Sequence, residues 1–354
     1  MNNRIYYAVQ AVKMKPCQTN NGGVSYTYGT ERVPRGVQSV GITTNFNLEQ
    51  AYQLGQVDIY ENIEEVPDVE VTISKVFDGT RTLYNLANDG NVVDSSNGLG
   101  LTQISDRRCD LALGIWDDTK PATSGSADYY VVCTGMYVSS VTYNFVVDGN
   151  FSEDLTLVGN HKKWGLTGGS GIGGFASGIV GSGQDYTPES ATILRRWTLD
   201  KSNTVLPTGA SGGIPGDFAS GLHINSITLS TSLGRESINE LGRRSPYYRY
   251  ISFPVEVTAE IEVTAVQSDN VDADDFSDQT GCAQAASANL TNKTIKIALC
   301  NGNTANAYVF DLGAKNKLTS VNYTGGDTGG GNVTTTYSYQ TFNSFSVTSP
   351  NYGS

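Results

Sequence analysis

Several stretches of the 354-residue sequence combine residue types that could do chemistry. Gly169-Ser-Gly-Ile-Gly-Gly174 has the spacing GxGxxG. In a dinucleotide-binding fold that spacing turns a strand into a helix whose first N–H groups meet a pyrophosphate. Here glycines continue around it and no helical pattern follows, so the run reads as a flexible linker. Gly209-Ala-Ser211-Gly-Gly213 has the spacing GxSxG of a nucleophile elbow, which needs a strand-to-helix turn in a parallel sheet. The surrounding pattern is antiparallel and His223 follows too soon to be the base, so this reads as a Gly-rich loop. Asp269, Asp272, Asp274, Asp275 and Asp278 gather oxygens of the kind calcium takes from a loop. The central Gly and terminal Glu of an EF-hand are missing, and a solvated inter-strand loop is the better reading, with ion binding left open. His161 and His223 are the only histidines and no Cys-x-x-Cys occurs, which argues against zinc and histidine-based catalysis. The densest basic–aromatic stretch is Arg243-Arg-Ser-Pro-Tyr-Tyr-Arg-Tyr250. Interleaved arginine and aromatics can stack on single-stranded nucleic acid, but in an acidic chain they suit a protein contact. Arg243, Arg244, Tyr247, Tyr248, Arg249 and Tyr250 are therefore the candidate subunit-interface residues. No catalytic, cofactor-binding or metal-binding residue is assigned, and no cofactor is expected.

Composition points the same way. Lys and Arg total 23 against 35 Asp and Glu, a formal charge of −12, so a surface that grips nucleic acid or anionic membrane is not expected. No apolar run is long enough to span a membrane. Met1–Tyr7 holds no apolar core of a secretory signal, so Cys17, Cys109, Cys133, Cys282 and Cys300 are expected as reduced, buried thiols. Charged residues are only 16 % and hydrophobic ones 38 %, with 40 glycines and 20 tyrosines. A large core is affordable, and the fold class expected is mainly β.

Period-two alternation marks the elements that must position these residues. Strands are predicted at Ile5–Val12, Val37–Thr43, Val69–Val76, Tyr129–Val132, Val138–Val147, Ile224–Ser230, Val255–Val263, Ile295–Leu299 and Tyr337–Val347. Leu48–Leu54 and Arg235–Leu241 instead place apolar residues three and four apart, each followed by a glycine, Gly55 or Gly242. That spacing predicts two short amphipathic helices. The two segments also belong to an internal repeat. Val37–Pro67 laid over Ile224–Pro254 without a gap gives identities at Ser39/Ser226, Thr44/Thr231, Glu49/Glu236, Leu54/Leu241, Gly55/Gly242, Tyr60/Tyr247 and Pro67/Pro254. Three further blocks follow in the same order: Leu111–Ile115 with Ile295–Leu299, Tyr130–Val132 with Tyr308–Phe310, and Ser140–Tyr143 with Ser320–Tyr323. The repeat unit is a whole domain rather than a solenoid turn. The reading is a first domain over 1–166, a Gly-rich linker over 167–190 and a second, duplicated domain over 191–354. Pro207–Gly216 is a second Gly/Pro connection, and Ala122–Asp128 and Gly325–Asn332 are hairpin tips that could reach a neighbour.

The segment Leu241-Gly-Arg-Arg-Ser-Pro-Tyr-Tyr-Arg-Tyr-Ile-Ser-Phe-Pro-Val-Glu-Val-Thr258 and its echo over Leu54–Thr72 resemble the tail tube proteins of long-tailed bacteriophages. The resemblance covers about a third of the chain. It implies two tandem β-sandwich or barrel domains, each with a short flanking helix, whose sheets close into a ring with neighbouring subunits. It further implies a structural virion protein, not an enzyme, located in the tail and assembled in the host cytoplasm. Rings would stack into a conduit for genome ejection, with three two-domain chains making a pseudo-hexamer. Expected partners are further copies of the chain and tape-measure, baseplate, terminator or sheath proteins, while DNA passes without specific binding. A baseplate or tail-adaptor ring protein is one alternative. A carbohydrate- or receptor-binding tail module is another, and the tyrosines keep it open.

Overall fold

The computed structural model describes residues 5, 10–20, 25–28, 31–88, 99–118, 127–166, 197–209, 213–216, 218, 221–266, 271, 291–301, 308–325 and 331–349. The Gly-rich run 167–190 and the acids Asp269, Asp272, Asp274, Asp275 and Asp278 lie outside them, as do Cys282 and most of Ala122–Asp128 and Gly325–Asn332. In chain order the strands of the first half are β1 Gln10–Asn20, β2 Ser25–Tyr28, β3 Val37–Asn45, β4 Leu48–Tyr52, β5 Ile59–Glu64 and β6 Asp68–Val76. After the helix α1, Leu83–Asn88, come β7 Leu99–Gly100, β8 Arg107–Ile115, β9 Tyr129–Val146, β10 Ser152–Gly159 and β11 His161–Leu166. The second half holds β12 Thr198–Leu199, β13 Ile224–Ser232, β14 Arg235–Ile238, β15 Tyr248–Ile251, β16 Glu256–Thr264 and β17 Lys296–Cys300. It ends with β18 Tyr308–Asp311, β19 Lys317–Thr324, β20 Thr334–Phe342 and β21 Ser346–Thr348. The chain is mainly β, as its alternation predicts. Among the described residues no helix is long and apolar enough to cross a membrane.

The two predicted helices are not helices. Leu48–Tyr52 and Arg235–Ile238 are the first arms of two antiparallel hairpins, β4-β5 and β14-β15. Seven residues are too few to hold a helix in water without tertiary packing, and each segment has a strand-forming partner a few residues on. Gly55 and Gly242 do stop their elements, but at hairpin tips, where their φ values of +90° and +93° suit a residue without Cβ. Leu54 and Leu241 stand fully exposed beside them. The predicted strands Tyr129–Val132 and Val138–Val147 are one 18-residue strand, β9. Gly135, at φ +66°, bends it in the middle, and its N–H is taken by the Asp110 carboxylate at 2.8 Å.

A long sheet runs β19-β20-β16-β13-β9-β10-β6-β3, all antiparallel. Within it, β9-β10-β6-β3 and β19-β20-β16-β13 have the same order and the same register. Gly41 lies opposite Thr72, which lies opposite Thr156. In the same places Thr228 lies opposite Glu260, and Glu260 opposite Ser338. Bulges recur as well: at Gln38 and Asn225, and at Ser139 and Thr319. The first part of β9 pairs β8 and β11, and β8 pairs β1. The order β12-β17-β18-β21 in a smaller sheet matches it.

One face of the long sheet is the core. Val71, Ile73, Tyr143, Leu155, Leu229, Val257, Ile261 and Tyr337 are buried on it. Rings from both halves meet there, Phe77 with Tyr308 and Tyr143 with Phe310, each pair at 4.7 Å. Tyr308 also accepts the N–H of Gly79, and β7 pairs β21, so the halves share one core. The other face alternates out of it with Ser, Thr and acids. Asp68, Glu70, Asp154, Glu256, Glu260 and Glu262 project there. Thr43, Ser140, Thr142, Thr228, Ser230, Thr336 and Ser338 stand among them. Along these strands the cation of that face is Lys317, at the start of the edge strand β19.

Candidate assembly interface

The two blocks meet where β13 pairs β9, from Ser226 opposite Val146 to Ser232 opposite Ser140. Alternation puts Leu229 beside Tyr143 in the core and Ser230 beside Thr142 on the polar face. Past the end of β13, Leu233 donates its N–H to Ser139 O at 2.7 Å and is fully buried. The chain then turns into the hairpin β14-β15, which lies on the first half. Arg235 donates from Nε to Val138 O at 2.7 Å and from Nη1 to Ser105 O at 2.8 Å. Its guanidinium sits 5.3 Å from the centre of the Tyr137 ring. Burial pulls Arg235 down to about 10, against the support of Tyr137, Tyr84, Tyr248 and Asp106. Tyr248 packs edge-on against Tyr137 at 6.0 Å, and Arg249 reaches Asp68 Oδ1 at 3.1 Å and Asn160 Oδ1 at 3.0 Å.

Part of the predicted interface stretch therefore makes a contact within the chain. Tyr248 is buried and Arg249 half-buried against the first half, whereas Arg243, Arg244 and Tyr250 are exposed and Tyr247 lies between these extremes. A cleft of about 490 Å³ opens beside them, lined by Arg108, Asp110, His161, Arg243 and Arg249 among others. Burial raises Asp110 above the usual carboxylate range, against the Gly135 N–H and Arg108. No local sequence pattern marks Arg235, the centre of the junction, because its role depends on the carbonyls of Val138 and Ser105 in the other half. Among the described residues no group of His, Cys, Asp and Glu could hold a metal ion. Cys17, Cys109 and Cys133 are buried thiols and Cys300 is a half-buried one, none of them in a disulfide among the described residues.

The ends of the long sheet differ from this junction. β3 is its edge on one side and β19 on the other. The hairpin β4-β5 continues from β3 in the register of β14-β15, with Leu48 opposite Glu64 where Arg235 lies opposite Ile251. Its side chains are exposed: Phe46 by 74 %, Leu48 by 59 %, Tyr60 by 63 %. Phe46 occupies the place in the first block that Leu233 occupies in the second. The hairpin and its flanks hold Glu49, Asp58, Glu61, Glu64 and Glu65 and no Lys or Arg. The edge at β19 is basic at its start, where Lys293, Lys315 and Lys317 gather around the bridge between Lys293 and Asn316. Burial, and then Lys317, hold Lys293 below the usual lysine range.

No protein-family model matches the chain, and no curated protein matches it. Solved structures similar to part of it include the tube-terminating cap of the anti-feeding prophage, with 13 % identity, a TM-score of 0.32, and 47 % of this chain and 93 % of that one covered. The anti-feeding prophage baseplate gives 7 %, 0.30, 49 % and 99 % for the same measures. The tail of an empty GTA particle gives 12 %, 0.25, 44 % and 94 %. Likeness at this level carries no argument about function.

Proposed function

We propose that this chain is a structural protein of a phage tail, a tube subunit built from two duplicated β domains that assembles into stacked rings. The observation that carries the reading is the head-to-tail order of the long sheet. Two blocks of the same order and register follow one another, and the series stops at unlike edges, β3 and β19. Unlike edges make a heterologous contact, which closes into a ring when the rotation allows it. Closure would also remove the edges, which are otherwise an aggregation hazard. Three chains would give a ring of six blocks. The polar face supports a conduit: its carboxylates and hydroxyls offer little for a phosphate backbone to hold, so DNA could slide along it.

Negative-stain electron microscopy of the purified protein over a concentration series tests this reading. Rings of three-fold symmetry with six lobes, or tubes of stacked rings, are expected. Monomers dispersed at the highest concentration would overturn it. A baseplate or adaptor ring would show rings that do not stack.

A further inference from the structure

We infer that the β3 edge and the β4-β5 hairpin of one chain seat on the β19 edge of a second copy, in the register that β13 and β14-β15 adopt on β9. This rests on the assembly reading above and adds to it the interface, its register and its charge pair. The inference comes from following equivalent positions in the two blocks. At the junction within the chain, Leu229 lies opposite Tyr143, Ser230 opposite Thr142 and Ser232 opposite Ser140. Transferred to the free edges, these pairs become Ile42 opposite Tyr323, Thr43 opposite Asn322 and Asn45 opposite Ser320 of the second copy. The Leu233 N–H to Ser139 O bond becomes Phe46 N–H to Thr319 O, at the matching bulge of β19.

Burial differs at these positions in the way an empty seat requires. Tyr143 is fully buried and its counterpart Tyr323 is 58 % exposed. Leu233 is fully buried and its counterpart Phe46 is 74 % exposed. The outward-facing positions of β13 are half-buried, while those of the β3 edge are largely exposed. Bulky apolar side chains at the edges of a sheet are expected to be covered.

The chemistry of the two partners is complementary as well. Tyr248 packs on Tyr137 at the junction within the chain. The hairpin registers place Glu61 where Tyr248 stands, since Ala51 lies opposite Glu61 as Ile238 lies opposite Tyr248. The strand registers place Lys317 where Tyr137 stands, since Lys317 precedes the bulge of β19 as Tyr137 precedes that of β9. An aromatic pair within the chain thus becomes a Glu61–Lys317 ion pair between chains. The acidic hairpin as a whole would meet the end of β19 where Lys293, Lys315 and Lys317 gather. Opposite charge across an interface fixes register and excludes wrong partners.

Paired cysteines test the register in the full-length protein with Cys282 and Cys300 changed to serine. Thr43→Cys with Asn322→Cys should give disulfide-linked oligomers on oxidation with diamide. Thr43→Cys with Ser320→Cys, shifted by two residues, should not, because the Cβ atoms then lie too far apart. Charge reversal tests the pair: Glu61→Lys or Lys317→Glu should each lower assembly at least tenfold at low salt, and the double variant should restore it. Both residues are exposed, so melting of the monomer should not change. Oligomers that link only through the shifted pair, or assembly indifferent to both reversals, would overturn the inferred interface and leave ring assembly standing. Monomers under every condition would overturn both.

Discussion

At the scale of single residues, the demanding groups are those that hold charge inside the protein. Glu153 is buried under α1, where its carboxylate accepts the N–H of Leu83 at 2.6 Å and of Tyr84 at 2.8 Å. Burial raises it above the usual glutamate range, against those two bonds and the nearby Lys75. Glu153→Ala would leave both buried N–H groups without their acceptor, while Lys75 keeps Asp78 at 3.2 Å, and should cost about 3 kcal/mol in denaturant unfolding. The sign of its pH dependence follows from the raised value. A carboxyl that binds its proton more tightly folded than unfolded adds stability that is full below the ordinary glutamate value and is lost as pH rises through the raised one. Glu153→Gln should therefore gain on the wild type as pH rises above the ordinary glutamate value, and a constant difference would refute this account. Arg235 is the second such residue. Arg235→Lys should cost about 2 kcal/mol, because a single ammonium nitrogen cannot stand in the places of both Nε and Nη1, and a loss no larger than that of an exposed site would show the hairpin to be held by packing alone.

At the scale of elements, the two hairpins separate what a residue pattern fixes from what only pairing can. Leu54 and Leu241 as helix anchors would make Leu→Ala cost ~2–5 kcal/mol. As exposed hairpin tips, Leu54→Ala and Leu241→Ala should each stay within about 0.5 kcal/mol of the parent in chemical denaturation. The glycine stop, the matched positions and the strands around them were legible, because period-two alternation and turn chemistry are local. The helical spacing misled, because a seven-residue pattern is weak and the partner strands at Ile59–Glu64 and Tyr248–Ile251 lie outside it. The real helix, Leu83–Asn88, left no periodic signature, since all six of its residues are buried. The unity of β9 was hidden by Gly135, which reads as a break but acts as a bend secured by Asp110. Of the interface residues, Tyr248 and Arg249 could be named from composition. Their partners Tyr137, Asp68 and Asn160 could not, as only the sheet order brings them near.

At the scale of the whole molecule, one core couples the halves and one face sets what may touch them. Phe310 meets Tyr143 and Phe145 of the first half. Phe310→Ala should therefore cost ~3–5 kcal/mol and lower a single calorimetric transition, whereas a variant with two transitions would mean that the halves melt apart. The polar face gives the sharper prediction, because it concerns function without requiring assembly. Glu256, Glu260 and Glu262 lie on one strand and project from it on the side away from the core. Hydroxyls hydrogen-bond among and to them, Ser226 to Glu262 at 3.2 Å and Ser230 with Thr258 at 2.6 Å. Phosphate binding is driven by release of counterions from DNA when cations replace them. A face of carboxylates releases none, so the wild type should show no duplex DNA binding by fluorescence anisotropy even at low salt. Glu260→Lys with Glu262→Lys places two cations there, and should bind weakly with an affinity that falls as salt is raised, by a slope of about two on logarithmic axes. Steep, salt-dependent binding by the wild type itself would mean that a surface other than this face meets nucleic acid, and a conduit that DNA traverses without holding could not then be this protein's role.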